Sequence, residues 1–168
     1  MSKGSITALS SKLDVQELIK KLNVALSEEW LAYYQYWIGA QVIKGTMRSN
    51  IEAEFLEHAK DELDHANKIS KRIIELEGIP VLNPKEWDKL AKCKFMEPTN
   101  FDSVILLNQN IESEDCAINR YKEIADFTRD KDYTTFDLAK KIMAEEEEHA
   151  QDLSNFVNDI DLSRKTYK

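Results

Sequence analysis

Apolar residues recur along most of this chain at the three- and four-residue spacing of an amphipathic helix. Breaks in the pattern separate four such stretches, and we expect one long helix in each: residues 14–44, 48–77, 101–127 and 133–160. Only a few residues join the first pair and the last pair, so each pair must be antiparallel. The pattern therefore predicts an all-α protein, a four-helix bundle made of two hairpins.

The segment 78–100 joins the two hairpins and holds all three prolines. Asn83-Pro84 resembles a cap followed by proline at the first helical position, which predicts a short helix over 84–92. A crossover of this length reaches ~60 Å when extended, against ~40 Å for helices of this length. Helices two and three are therefore free to run parallel. We expect one domain over 1–168, with the bundle itself at about 14–158.

Composition narrows the class of protein. Only four glycines and three prolines among 168 residues exclude a collagen-like or many-turned β architecture. The formal net charge of −8 argues against general nucleic-acid binding. Cys93 and Cys116 are too few for a disulfide framework or a four-thiolate zinc site. Because residues 1–13 lack an apolar leader and no run of about 18 apolar residues occurs, we expect a cytoplasmic protein without membrane contact.

Charged residues fill the gaps in all four apolar stripes, near the middle of each helix. They are Glu29 on the first helix, His58, Glu62 and His65 on the second, Glu114 on the third, and Glu146 and His149 on the fourth. Uncompensated carboxylates in a bundle core cost several kcal/mol or more. Two divalent cations would neutralise the four carboxylates, so the pattern predicts a dimetal site.

Two pairs among these residues have Glu-x-x-His spacing: Glu62 with His65, and Glu146 with His149. Residues three apart share a helix face, so a carboxylate oxygen and an imidazole nitrogen can reach the same ion. The glutamates of the first and third helices would complete the ligand set. One such pair is common by chance in a chain with 32% charged residues. Two pairs that coincide with the apolar stripes favour the metal site over a metal-free structural bundle, which would bury four unpaired glutamates.

Two residues near these ligands, His58 and Tyr36, each have two possible roles. His58, one turn before Glu62, is either an outer metal position or a hydrogen-bonding neighbour of the centre, and we favour the latter. Tyr36 follows Glu29 by seven residues, as Tyr121 follows Glu114. It either hydrogen-bonds a ligand carboxylate or packs as an aromatic. Within the acidic run 145–148, which is typical of a solvated face, only Glu146 lies both on the stripe and three residues before a histidine.

Together these motifs resemble the diiron carboxylate pattern of the ferritin-like superfamily, and that of bacterioferritin most closely. The residues that carry the resemblance are Glu29 with Gln35 and Tyr36, Glu62-Leu-Asp-His65 running on to Gly78, Glu114, and Glu146-Glu-Glu-His149. The resemblance covers about 14–158. It implies a ferritin-like four-helix bundle with a long crossover that carries a short helix.

Two departures from bacterioferritin matter. Leu63 stands where that family has its haem-ligating methionine, so we expect no haem. The residues 150–168 that follow His149 leave no room for the short fifth helix that lines the large ferritin cage. With the two cysteines, this resembles the bacterioferritin-related Dps-like proteins, also called thioferritins.

This resemblance implies iron storage and detoxification. Two Fe ions per subunit, replaceable by Mn or Zn, would be oxidised by hydrogen peroxide or oxygen, and ferric product would be stored in a hollow twelve-subunit shell. A manganese-type catalase or another diiron oxidase without storage is one alternative. A DNA-protecting shell is another, although its basic residues, Lys3, Lys12, Arg164, Lys165 and Lys168, are sparse, so DNA binding is not expected.

The resemblance also implies that Cys93 and Cys116 form a redox-responsive pair near the iron centre. Cys116 lies about 200° around its helix from Glu114, so it is not expected to be a metal ligand. Without the resemblance, two unrelated reduced thiols would be the preferred interpretation in a cytoplasm.

Overall fold

The computed structural model describes Leu9 and residues 11–166. The predicted all-α bundle is confirmed, and the described residues form four long helices and one short helix. These are α1 (Val15–Val42), α2 (Arg48–Glu75), α3 (Trp87–Leu90), α4 (Ser103–Thr128) and α5 (Tyr133–Thr166). Lys3 and Lys168, two of the basic residues considered for DNA contact, lie outside the described residues. Within the described part of the chain, no helix is both long and apolar enough to cross a membrane.

Polar caps set the starts of three long helices. The carboxylates of Asp14, Asp102 and Asp132 each accept a hydrogen bond from a backbone N–H two or three residues later, at 3.0–3.1 Å. Such bonds satisfy amides that the first helical turn leaves unpaired. Two of the predicted helix bounds, at residues 48 and 133, match the structure, and the others differ by one to six residues, since the last helix continues to Thr166.

The crossover fixes the relative direction of the two hairpins. Its predicted short helix is confirmed, but it begins as a 3₁₀ turn at Pro84–Glu86 and ends at Leu90. At the far end of the crossover, the Lys44 N–H donates to the Phe101 carbonyl at 2.8 Å, and the Ser103 N–H donates to the Lys44 carbonyl at 2.9 Å. Because α4 therefore starts beside the α1–α2 turn, α2 and α4 run parallel.

The apolar core is divided into two clusters by a polar layer at mid-bundle. One cluster includes Leu22, Ile69, Ile73, Ile124 and Ile142. The other includes Ile51, Phe55, Leu107, Leu153 and Ile160. On α5, Ile142 is buried in the core, while its neighbour Met143 is only partly buried. Packing on both sides holds the polar layer away from bulk water.

Candidate metal centre

The structure brings all six predicted ligands together in the polar layer. They are Glu29 from α1, Glu62 and His65 from α2, Glu114 from α4, and Glu146 and His149 from α5, and none is more than 5% exposed. They fall into two overlapping groups, each with ligand atoms that lie within 4.8 Å of one another. The six residues thus lie on the inward faces of four different helices and at the same level along the bundle axis.

The first group surrounds His65. Its Nδ1 atom lies 3.3 Å from Glu29 Oε2, 3.4 Å from Glu62 Oε2 and 3.2 Å from Glu146 Oε1. Three carboxylate oxygens and one imidazole nitrogen therefore converge on a single point, which is a donor set suited to a divalent first-row metal.

The second group surrounds His149 and shares two glutamates with the first. The Nδ1 atom of His149 lies 3.1 Å from Glu146 Oε2, 3.7 Å from Glu62 Oε1 and 3.9 Å from Glu114 Oε1. Glu62 and Glu146 each direct one oxygen to His65 and the other to His149. Both carboxylates are thus placed to bridge two ions.

Buried atoms without partners mark the same two points. Side-chain atoms in the centre that have no hydrogen-bond partner are Glu29 Oε2, Glu62 Oε1, His65 Nδ1, both Oε atoms of Glu146, and His149 Nδ1. Buried polar atoms normally have partners, so a cluster of orphans requires an explanation. Two metal ions, one in the group around His65 and one in the group around His149, would be ligated by all of these atoms. The residues present therefore fit a dimetal centre.

The electrostatics of the metal-free centre agree with this interpretation. Burial raises the pKa of Glu29 to about 8, and burial together with Glu146 and Glu62 raises the pKa of Glu114 well above its usual value. Burial opposes the charging of His149, but the nearby carboxylates of Glu146, Glu62 and Glu114 raise its pKa to about 11. Without metal, protons therefore occupy positions that cations would take.

Two tyrosines tie the ligands from α1 and α4 across the bundle. The Tyr36 hydroxyl donates to Glu114, and the Tyr121 hydroxyl donates to Glu29. Tyr36 also packs edge-on against Phe55, so it does both things considered for it from the sequence. The role of Tyr121 was missed, although its matched spacing from Glu114 was the available signal.

The outer nitrogens of both histidines face acidic partners. His65 Nε2 lies 2.9 Å from Glu145 Oε2, and His149 Nε2 lies 3.5 Å from Asp61 Oδ2. Such a partner fixes the ring orientation and leaves Nδ1 for the metal. The sequence suggested Asp61 only as a residue beside the centre that could relay iron, and Glu145 only as part of a solvated face. Each one directly precedes a bridging glutamate, which is a signal that could have identified them as partners of the histidines.

His58 lies beside the centre without bonding to a ligand carboxylate. Its ring stacks on that of His149, with centroids 4.0 Å apart, and its Nε2 lies 3.2 Å from Glu54 Oε1. Burial, aided by His149, lowers the pKa of His58 to about 3. The ring is therefore a neutral imidazole at physiological pH.

The crossover is attached to the bundle next to the centre. Glu28, adjacent to the ligand Glu29, pairs with Arg120 at 2.7 Å and accepts hydrogen bonds from the backbone N–H groups of Lys92 and Cys93. Cys93 and Cys116 form a disulfide with their Cα atoms 5.8 Å apart. Cys93 also lines a narrow cleft with Glu29, so the disulfide lies on the α1–α4 side of the centre.

Comparison with known proteins agrees with this geometry. A family model described as the ferritin-like domain matches residues 19–163. The chain belongs to the ferritin family. Among solved structures of the family's fold, one described as a dodecameric thioferritin, the bacterioferritin-related protein from Bacteroides fragilis, is 60% identical. The match covers 99% of each chain with a TM-score of 0.96.

Curated relatives of this ferritin-family chain include two kinds of protein. A "DNA protection during starvation protein" from Pyrococcus furiosus is 34% identical over 142 residues, 82% of this chain and 75% of that one. A bacterioferritin from Rhodobacter capsulatus is 26% identical over 84% of this chain and 83% of that one. These findings confirm the resemblance to bacterioferritin-related, Dps-like proteins.

Proposed function

We propose that this chain is an iron-storage ferroxidase. Its centre binds two ferrous ions as substrate, their electrons pass to hydrogen peroxide or oxygen, and the ferric product is stored in a hollow shell. The observation that carries the proposal is the pair Glu62 and Glu146, each with one oxygen directed to His65 and the other to His149. Carboxylate and imidazole donors suit iron, and Mn or Zn can occupy the same ligands.

The reaction needs two electrons, and two ferrous ions supply one each. One hydrogen peroxide with two protons then becomes two waters, while both ions become ferric. The anionic oxygens stabilise the higher charge of the ferric product. Tyr36 and Tyr121 orient the terminal glutamates Glu114 and Glu29, while Glu145 holds the ring of His65.

An acidic cavity gives cations a path to the centre. It has a volume of about 300 Å³ and opens between α2 and α5 beside His149. Its acidic lining consists of Glu54, Glu57, Asp61, Asp64, Glu145, Glu148 and Asp152. Such a cavity raises the local concentration of cations. We propose that this side of the bundle faces the interior of the shell.

The assembly proposed here is a homo-oligomeric shell of twelve subunits in the cytoplasm, without haem. The support for it is the 60% identical relative from Bacteroides fragilis, which is described as dodecameric. Leu63, partly buried on α2, has no atom that could ligate haem iron.

Measuring iron retention tests the storage function. Ferrous iron is added anaerobically to metal-free protein, peroxide or oxygen follows, and iron per particle is determined after gel filtration. We expect rapid oxidation and retained ferric iron in the wild type and in Glu147→Ala, an exposed residue that does not line the cavity. Glu62→Ala should lose rapid oxidation.

Two results would contradict this account. Oxidation by Glu62→Ala at the wild-type rate would mean that the centre is elsewhere. Sustained consumption of peroxide without retained iron would indicate a catalase or another diiron oxidase.

We also propose that the disulfide between Cys93 and Cys116 responds to the redox state of its surroundings. It lies against the cleft that reaches Glu29, so its state can affect that side of the centre. Reduced protein should give two alkylated thiols per chain by mass spectrometry, and peroxide-treated protein should give none. Two alkylated thiols after both treatments would overturn the proposal.

A further inference from the structure

The two metal positions of the centre, called here the His65 position and the His149 position after their histidines, correspond to each other residue by residue. A sequence offset of 84 residues relates the ligands and acidic partners on α2 to those on α5: Glu62 to Glu146, His65 to His149, and Asp61 to Glu145. Glu29 and Glu114 also correspond, since each accepts a hydrogen bond from a tyrosine. Any difference between the two positions must therefore come from residues farther out.

Two lysines lie at the outer edge of the His65 position. Lys68 Nζ lies 3.4 Å from Glu145 Oε2, the same oxygen that faces His65 Nε2 at 2.9 Å. Lys141 Nζ lies 3.7 Å from the other oxygen of Glu145. The two ammonium groups offset the charge of Glu145 and would repel a metal ion bound at His65.

Acidic residues take the corresponding places at the outer edge of the His149 position. By the same offset, Asp152 corresponds to Lys68, and Glu57 corresponds to Lys141. Both acidic residues line the acidic cavity together with Asp61, the partner of His149. Among residues 13–165, no lysine or arginine forms an ion pair with any of these three carboxylates. Each exchange of a lysine for an acid changes the local charge by two units.

The carboxylates on the His149 side repel one another. Burial, followed by the charges of Asp152 and Glu57, raises the pKa of Glu54 above its usual value. A divalent cation at the His149 position would relieve this repulsion, whereas a cation at the His65 position approaches Lys68 and Lys141.

We propose that the two metal positions are unequal and that the His149 position binds a divalent cation first. Asp152 and Glu57 strengthen binding there, and Lys68 weakens binding at the His65 position, although none of the three is a ligand. Lys68 has a larger effect than Lys141, because its side chain is 25% exposed against 65% and is less screened by water.

This order of loading rests on the dimetal centre of the proposed function, but it applies to any divalent first-row ion and requires no oxidation. The second ion, at the His65 position, completes the pair of ferrous ions that a two-electron reduction of peroxide needs.

Co²⁺ supplied at one ion per chain tests the order of loading. Crystals are grown from metal-free protein with this amount of Co²⁺, and anomalous diffraction compares the peaks beside the two Nδ1 atoms. The peak at His149 should be at least ~3-fold stronger than the peak at His65, as expected for affinities that differ about tenfold. With two or more ions per chain, both peaks should reach full height.

Variants that remove one charge identify the cause of the inequality. Lys68→Gln should raise the share of Co²⁺ at His65, and Asp152→Asn should lower the share at His149, so each should reduce the ratio of the peaks at least ~2-fold. Lys71→Gln is the matched control, because it removes an exposed lysine one turn farther along α2, outside the cavity. Its ratio should equal that of the wild type.

Three results would contradict these expectations in different ways. Equal peaks in the wild type, or a stronger peak at His65, would overturn the order of loading while leaving the dimetal centre intact. The same ratio in Lys68→Gln and Lys71→Gln would overturn the role of the outer charges. No Co²⁺ beside either histidine, even with an excess of the ion, would overturn the dimetal centre itself.

Discussion

Glu146 is fully buried, and neither of its carboxylate oxygens has a hydrogen-bond donor. A charged group in that position is costly unless an opposite charge meets it. Both histidines of the centre have Nδ1 within 3.2 Å of this carboxylate. At the scale of single residues, the centre therefore consists of buried carboxylate and imidazole groups. Protons neutralise only some of these carboxylates, whereas two metal ions would neutralise all of them.

Glu146→Gln tests the bridge directly, because it replaces one carboxylate oxygen with an NH₂ group and removes the negative charge. The shape of the side chain stays the same. We expect initial iron oxidation to slow at least ~100-fold, since a ligand shared by both ions is weakened. The matched control is Glu147→Gln, which makes the same change at the next residue, an exposed one. Stopped-flow absorbance after mixing with oxygen or peroxide measures both. Equal rates for the two variants would contradict the bridging role.

Metal binding should release protons. The pKa of Glu29 is raised to about 8 and that of His149 to about 11, so both sites hold protons at neutral pH in the metal-free protein. A cation must displace those protons, and its affinity should therefore rise as pH increases from about 6 to about 8. Calorimetric titration with Zn²⁺ in two buffers of different ionisation enthalpy counts the protons. A binding heat that does not depend on the buffer would contradict the raised pKa values.

Helical periodicity was enough to predict where the six candidate ligands lie, because each interrupts an apolar stripe. It could not predict the acidic partners Asp61 and Glu145. Acidic residues beside an apolar stripe usually face solvent, and only the packing of α2 against α5 brings each of these two to a histidine. The cross-bundle bonds of Tyr36 and Tyr121 likewise depend on how α1 and α4 are paired.

At the scale of elements, the long helices follow from the sequence and the path of the crossover does not. Glu28 is adjacent to Glu29 and appears in the sequence as another surface charge. In the structure it is buried, bound to Arg120 and to two backbone N–H groups of the crossover. Gln35 adds a second attachment, since its side-chain oxygen accepts from the Met96 N–H at 2.9 Å. Such long-range contacts leave no periodic signal in a sequence.

Arg120→Ala should destabilise the protein by about 3–5 kcal/mol, because it leaves the Glu28 carboxylate buried without its cationic partner. Arg129→Ala is the matched control. It removes the arginine that directly follows α4, where the pair with Asp126 is more than half exposed, and should cost at most about 1 kcal/mol. Urea unfolding of the metal-free, oxidised protein gives both values. Similar losses for the two variants would show that Glu28 does not depend on Arg120.

At the scale of the whole molecule, the two sides of the bundle differ in chemistry. The α2–α5 side carries the acidic cavity, whereas the α1–α4 side carries the crossover and the disulfide. The centre lies between them, within reach of cations from one side and of the cysteine pair from the other. A closed shell would keep the two sides in separate compartments, which suits a protein that takes up ions and retains a mineral.

Static light scattering measures the assembly. We expect a particle mass of about twelve times the 19.5 kDa chain, with or without iron, because storage needs a closed cavity. A monomer or dimer under native conditions would contradict storage while leaving the dimetal centre as that of a free diiron enzyme.

Anomalous diffraction at the iron edge, from crystals soaked anaerobically with ferrous iron, tests the dimetal centre most directly. We expect one peak about 2 Å from His65 Nδ1 and another about 2 Å from His149 Nδ1, with the carboxylates of Glu62 and Glu146 between them. A single peak, or iron found only at the surface of the acidic cavity, would contradict a dimetal centre in this bundle.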